Sequence, residues 1–385
     1  MTVAESIAKH LQLAKVTLLT HVPGSNGTSI FEAFYQGMEQ SVQISFHEEV
    51  AFTMAHGAAL SGKRACCVIK SHGFIKAGNS VLDAKYAGTT AAFVILVLED
   101  EAAQHSDCKF EIRPFLKSFE IPFRELKKPE EDMTEFMEES FTLSEKWQLP
   151  IVILIKDHFL SQSISSSNIP AELKLPAEPV YKRNIIQHLV CPLFAETQKQ
   201  IHEYKMRWDP DFIQFHQNPV PVLQDFSLPA WDSTIRTYKK VFSLFQQIPK
   251  GICFGDTGIS SLFALEPYQC VDITTYMGGS IPLAVGATLA GKQDCWAITG
   301  DFSFISAGIL GLFEAKNQNL ALKILILNNR EATTTGGQKI QPHFLDDLLL
   351  PFQQSVKRIP VDELTIQDLQ ETANAKTLQI LVVDC

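Results

Sequence analysis

Eight short apolar runs punctuate the chain: KVTLLTHV (15–22), KRACCVIK (63–70), AAFVILVLED (91–100), LPIVILI (149–155), GICFGD (251–256), DCWAIT (294–299), LALKILILNN (320–329) and LQILVVD (378–384). Their hydrophobic positions are continuous rather than alternating, the pattern of strands buried on both faces, and helical patterns lie between them. This predicts α/β architecture, with two doubly wound parallel-sheet domains. From about Ser166 to Lys240 the pattern fails, and prolines, aromatics and mixed charges replace it. That stretch reads as an irregular, partly helical linker, with AETQKQIHEYKMRW (195–208) its best helix. The expected domains are therefore residues 1–165 and 241–385, with 166–240 between them.

Composition narrows the possible functions. The 385 residues are 45% hydrophobic and 20% charged, typical of a globular protein large enough for two cores. A net charge of −10 disfavours nucleic acid and anionic membranes as partners. No apolar run reaches the roughly 18 residues needed to span a bilayer, and the amino terminus lacks a signal-peptide pattern, so the cytoplasm is expected. The eight cysteines form no CxxC spacing, which argues against common zinc and iron–sulfur sites and for reduced core residues.

In open parallel sheets, ligands bind beyond the carboxyl ends of strands, facing helix amino termini. AITGDFSF (297–304) ends a strand there, and a helix follows. Asp301 could simply cap that helix. The next strand ends in Asn328 and Asn329, however, and the 28 positions between Asp301 and Asn329 hold one helix and a return strand. Adjacent strand ends would then juxtapose a carboxylate, an amide oxygen and a backbone carbonyl. Those oxygens suit Mg²⁺ shared with a phosphate.

GDFSF…LNN resembles the diphosphate-binding motif of thiamin-diphosphate-dependent enzymes. The resemblance implies Asp301, Asn329 and the Glu331 carbonyl as Mg²⁺ ligands. Gly300, Phe302, which replaces the family's third glycine, and Ser303 would meet the diphosphate. DTGISS (256–261) is similar to the family's other diphosphate turn, bringing in Gly258, Ile259 and Ser260. TTYMGGSIPLAVGATLAG (274–291) resembles the segment that bends the cofactor, with Met277 beneath its rings and the Thr275 carbonyl accepting from the aminopyrimidine. Met277 could otherwise be a core residue, as Phe304 is expected to be.

In the amino-terminal half, FHEEVAFTMAHGAALSGKRA (46–65) resembles the helix carrying the family's pyrimidine-bonding glutamate and selects Glu48. Glu49, about 100° around the helix, would point elsewhere. HVPGSNG (21–27) is similar to a substrate-carboxylate loop, with Ser25 as the contact or as part of an ordinary Pro-Gly turn. IKSHGFIKAGNSV (69–81) matches an active-site loop and offers His72 and Lys70, with His105 a further candidate.

Across both domains the motifs are similar to the large subunit of indolepyruvate ferredoxin oxidoreductase, but the sequence shows no cysteine-rich ferredoxin module. The layout and TTTGGQ (333–338) resemble phosphonopyruvate and sulfopyruvate decarboxylases. The resemblance implies non-oxidative decarboxylation of a 2-oxo acid, with carboligation as a possible second outcome. It also implies a homodimer or dimer of dimers, because the family pairs its two domain types between subunits. The alternatives are a subunit of a 2-oxo acid oxidoreductase whose redox centres lie on a partner chain, and a non-catalytic cofactor-binding protein.

Overall fold

The computed structural model describes residues 1–39, 42–103, 106–129, 132–164 and 169–385. His105 and the start of the expected linker at Ser166 lie outside these residues. Two compact units are present, Met1–Lys182 with Gln200–Phe212, and Arg183–Lys199 with Ile213–Cys385.

The first unit contains strands β1 (Leu18–His21), β2 (Ala65–Lys70), β3 (Phe93–Glu99), β4 (Phe123–Glu125) and β5 (Pro150–Lys156). They form one parallel sheet in the order β1-β2-β3-β5-β4. Alternate side chains feed two cores, as the pleat requires. Leu19, Val68, Val94 and Ile153 join Ile7, Phe34 and Phe141 from the helices Val3–Leu13, Gly27–Tyr35 and Met133–Trp147. On the opposite parity, Thr20 Oγ1 donates to Ala51 O at 2.8 Å and Phe93 meets Phe52 edge-on at 5.0 Å, seating the helix Glu48–Leu60. Burial from Val50 to Leu60 is continuous, and the small residues Ala51, Ala55, Ala58 and Ala59 let this helix lie close to the sheet.

The second unit contains β6 (Cys253–Asp256), β7 (Ile273–Thr275), β8 (Trp296–Gly300), β9 (Lys323–Asn328), the short hairpin β10 (Glu331–Ala332) and β11 (Gln338–Lys339), β12 (Val356–Pro360) and β13 (Gln379–Asp384). Its parallel sheet runs β12-β13-β9-β8-β6-β7. After β6 the chain moves outward to β7 and then crosses back to β8, so the topology reverses between β6 and β8. A crevice opens at such a point.

The eight apolar runs are all strands. β4, β7 and β12 escaped the pattern because they are edge strands of 3 to 5 residues with mixed polarity. The described part of 166–240 is divided between the units instead of standing apart from them. Its apolar groups explain this: Phe212 is buried and tilted against Trp147, while Thr274 Oγ1 donates to Val190 O at 2.9 Å. A helix, Asp232–Phe245, crosses the expected boundary at 240.

Lys205, in the segment that joins the first unit, is fully buried, donates to Gln148 O at 3.3 Å and lies 4.9 Å from the Phe212 ring centre. Burial pushes its amine down to about 7 from the ordinary 10.5. Between those values the unfolded chain holds a proton that the folded chain lacks, so stability rises with pH across that window. A Lys205→Met variant should melt higher than wild type, with a larger gain at pH 7 than at pH 10. An equal gain at both pH values would contradict the cost assigned to this charge.

Candidate active site

Asp301 follows β8 directly and opens a helical segment that runs on through Asn317, with one π-type turn at Phe304–Gly308. One Asp301 oxygen accepts from Phe302 N at 2.8 Å and the other from Arg330 N at 2.6 Å. Burial outweighs these bonds and pushes the carboxyl up to about 6. The second bond crosses to the segment after β9, because Gly300 pairs with Leu327 in the parallel register. Asn329 Nδ2 donates to Thr333 Oγ1 at 2.6 Å, and Asn329 Oδ1 accepts from Glu331 N at 3.3 Å. In the β10–β11 hairpin, the carbonyls of Arg330 and Ala332 accept from Ile340 and Gly337. Strand alternation turns the Glu331 carbonyl between them the other way. The Glu331 carboxylate pairs with Lys339.

Asp301, Asn329 and Glu331 line one cavity of about 60 Å³ together with Gly258, Ile259, Ser260, Met277, Gly300, Phe302 and Ser303. Ten of the eleven residues expected at this site therefore share it. The exception is Thr275, which is buried, does not line the cavity, and offers its carbonyl to Thr257 N at 2.8 Å. The cause is register: Asp256 pairs with Thr275 at the end of β6 and β7, so Thr257, the next residue after β6, continues the ladder onto the Thr275 carbonyl. Met277 is half-buried on the cavity wall. Phe302 occupies helical backbone, where no glycine is needed, and Phe304 is fully buried. Gly278, at φ +87°, lets this wall approach the Asp301 helix, since a Cβ there would lie 2.3 Å from Gly308 N.

Two residues escaped the sequence reading: Asp256, which precedes the cavity-lining Thr257, and Tyr238, which lines the cavity itself. Asp256, at the end of β6, is buried, accepts from Thr299 Oγ1 and from Ser280 N at 2.8 Å, and is pushed up to about 6 by burial. It ties together the β6 end, β8 and the amino terminus of the helix Ser280–Leu289. Its signal was present in DTGISS, where a carboxylate stands at the carboxyl end of a strand, much as Asp301 directly follows one. Tyr238 lines the cavity from the helix Asp232–Phe245, at a position within the stretch expected as linker. Nothing local in its sequence marked it.

The donor set is one buried carboxylate, one amide oxygen and a backbone carbonyl, beside serine hydroxyls and a helix amino terminus. Hard oxygen donors of this kind fit Mg²⁺, and the helix terminus favours phosphate oxygens. The unneutralised burial of Asp301 is the feature that a cation would relieve. Among the described residues, no group of three or more His, Cys, Asp or Glu side chains forms a metal site.

Glu48, Ser25 and His72 lie at the carboxyl edge of the first unit's sheet. Ser25 follows β1, His72 follows β2, and Ser45 N donates to His21 O at 2.9 Å, which docks the segment leading to Glu48 there. Burial works to raise the Glu48 carboxyl, but hydrogen bonding and charge from Lys76, whose Nζ donates to Oε2 at 2.7 Å, hold it below its ordinary value. Glu49 is instead raised, chiefly by burial, and accepts from Ser80 Oγ at 3.2 Å. A Cβ on Gly73 would lie 2.7 Å from Glu48 Cγ, so this glycine makes room for the glutamate. Ser25 and Asn26 both adopt positive φ, and the buried Ser25 Oγ has no hydrogen-bond partner among the described residues. Lys70 packs beside Gly24 in the same loop, and His72 Nε2 lies 3.1 Å from Cys108 Sγ. Among the described residues, no helix is long and apolar enough to cross a membrane.

Residues 1–109 match the family description "Thiamine pyrophosphate enzyme, N-terminal TPP binding domain", and residues 256–362 match "C-terminal TPP binding domain". The chain is 27% identical over 156 residues to the indolepyruvate oxidoreductase subunit IorA of Archaeoglobus fulgidus, covering 39% of this chain and 25% of that protein. It is 30% identical over 167 residues to the subunit of the same name from Methanothermobacter marburgensis, covering 43% and 26%. The chain thus spans about a quarter of the length of these relatives. Its fold is shared along 100% of its length with the thiamine diphosphate-dependent 4-hydroxybenzoylformate decarboxylase of Rhodococcus jostii, at a TM-score of 0.65, 14% identity and 99% coverage of that chain. Two matched binding domains, carried on two parallel α/β units, place this chain in the thiamine pyrophosphate enzyme family.

Proposed function

We propose that this enzyme uses Mg²⁺ with thiamin diphosphate to decarboxylate a 2-oxo acid without oxidising it, with carboligation as a second outcome. The observation that carries the reading is the meeting of Asp301, Asn329 and Glu331 in one cavity at the topological switch point. Asp301, Asn329 and the Glu331 carbonyl would hold the metal. The backbone and hydroxyls of Gly258, Ile259, Ser260, Gly300, Phe302 and Ser303 would hold the diphosphate, with Met277 supporting the rings. When bound, the cofactor supplies an electron sink for the charge left as CO₂ departs. Glu48 would hold and move the proton of the pyrimidine, and Ser25 and His72 would meet the substrate. Thr275 is kept as a cofactor contact through the second lone pair of its carbonyl. A homodimer or dimer of dimers and a cytoplasmic location complete the proposal.

The named relatives favour a second reading, a subunit of a 2-oxo acid oxidoreductase with redox centres on another chain. One experiment separates the two. The purified protein, loaded with Mg²⁺ and thiamin diphosphate, is given aliphatic, aromatic and acidic 2-oxo acids while CO₂ and aldehyde are followed. The first reading expects both products without an electron acceptor. CO₂ released only with an added acceptor supports the second, and silence with cofactor bound would leave a non-catalytic binding protein.

A further inference from the structure

A second cleft, of about 480 Å³, opens in the first unit beside the ends of β2 and β3. His72 and Cys108 face each other there, with Nε2 and Sγ 3.1 Å apart. Depending on the proton, the thiol donates to the imidazole or the imidazole donates to a thiolate. The Phe110 ring meets His72 edge-on at 4.7 Å and steadies its plane. Cys108 is exposed, whereas the other cysteines are buried except the half-buried Cys385. A nucleophile, a base within hydrogen-bond reach and an accessible cavity are the parts of a reactive thiol site.

The charges of the cleft restrict what can react. Glu99, Asp100, Glu101 and Glu111 face it, against Lys109 and Arg113. Arg113 is fully engaged: Nη1 donates to Glu99 and Glu111, Nη2 to Glu99 and Glu125, and Nε to Glu125, at 2.6 to 3.0 Å. No guanidinium face is left for an anion, so the acidic wall favours small uncharged reagents.

We propose that Cys108 and His72 form an oxidation site for small uncharged hydroperoxides, with His72 as the base. His72 Nε2 takes the thiol proton, and the sulfur attacks one peroxide oxygen. An S–O bond forms as the O–O bond breaks, and the sulfur loses two electrons. The departing hydroxide or alkoxide takes the proton from His72, leaving a sulfenic acid and water or an alcohol. The site stands whether or not His72 also meets a 2-oxo acid.

The test treats the full-length protein with hydrogen peroxide, traps sulfenic acid with dimedone and locates it by mass spectrometry. Cys108 should be labelled before any other cysteine, and about tenfold faster than in the urea-unfolded chain. A His72→Gly variant should lose most of that advantage and regain it when imidazole is added. Iodoacetamide should outpace iodoacetate at Cys108 by a wider margin in the folded protein than in the unfolded one. Equal rates in folded and unfolded protein, or an unchanged rate in His72→Gly, would overturn the proposal. If that variant does not fold, the folded-to-unfolded comparison still decides.

Discussion

A Glu48→Gln variant should still be stabilised against heat by thiamin diphosphate, while its CO₂ release falls about 10²- to 10⁴-fold, the range expected for losing a positioned proton carrier. The amide has the size of the carboxylate and fits the space left by Gly73. It can still accept from Lys76 Nζ, 2.7 Å away in the native protein, so the fold is preserved. What it cannot do is titrate. A Lys76→Met companion isolates the electrostatics. Burial raises the Glu48 carboxyl and the Lys76 hydrogen bond and charge are prominent among the effects that lower it, so removing Lys76 shifts the balance upward. The acid limb of the pH–rate profile should then move to higher pH. Full activity in Glu48→Gln would remove the residue from the proposed chemistry.

The second large effect concerns Asp301. An Asp301→Asn variant keeps an acceptor for the N–H of Phe302 or Arg330 but loses the charge. Its affinity for thiamin diphosphate in the presence of Mg²⁺ should drop about 100-fold or more, because the one carboxylate expected on the cation is gone. Chelation with EDTA should lower the melting temperature of cofactor-loaded wild type and leave the variant unchanged. Without metal the sign reverses. The native Asp301 carboxyl is pushed up to about 6, so the apoprotein loses stability as pH rises through that value and the group ionises in a buried site. The metal-free variant should therefore melt above metal-free wild type at pH 8, with the difference vanishing near pH 4. Such a trade of stability for function is expected of a carboxylate placed for a cation. Unchanged cofactor affinity in Asp301→Asn would refute its role as a ligand.

Long strands were easy to read because burial on both faces demands uninterrupted apolar residues, as in ILVLE of β3 and KILIL of β9. β7, with only Ile273–Thr275, lacks the length to show a period, and Val356–Pro360 lies at a sheet edge where polar residues are tolerated. The stretch 166–240 hides its placement for another reason. Its anchors, Phe212 against Trp147 and Val190 against Thr274, are contacts between residues 65 and 84 positions apart, which no local window contains.

The same division holds at the candidate site. From order and spacing alone, the sequence determined two parallel α/β sheets and placed Asp301 and Asn329 at neighbouring strand ends, since one helix and one return strand fix that geometry. It also carried the motifs that select Glu48. Only the tertiary structure decided that Asp256 ties β6 to the helix Ser280–Leu289, that Tyr238 lines the cavity, that the Thr275 carbonyl is engaged by Thr257, that Lys76 helps hold the Glu48 carboxyl down, and that His72 meets Cys108. The physical reason is that strand order follows from short-range periodicity, whereas a side chain's partner and its proton affinity depend on which distant segments exclude water around it.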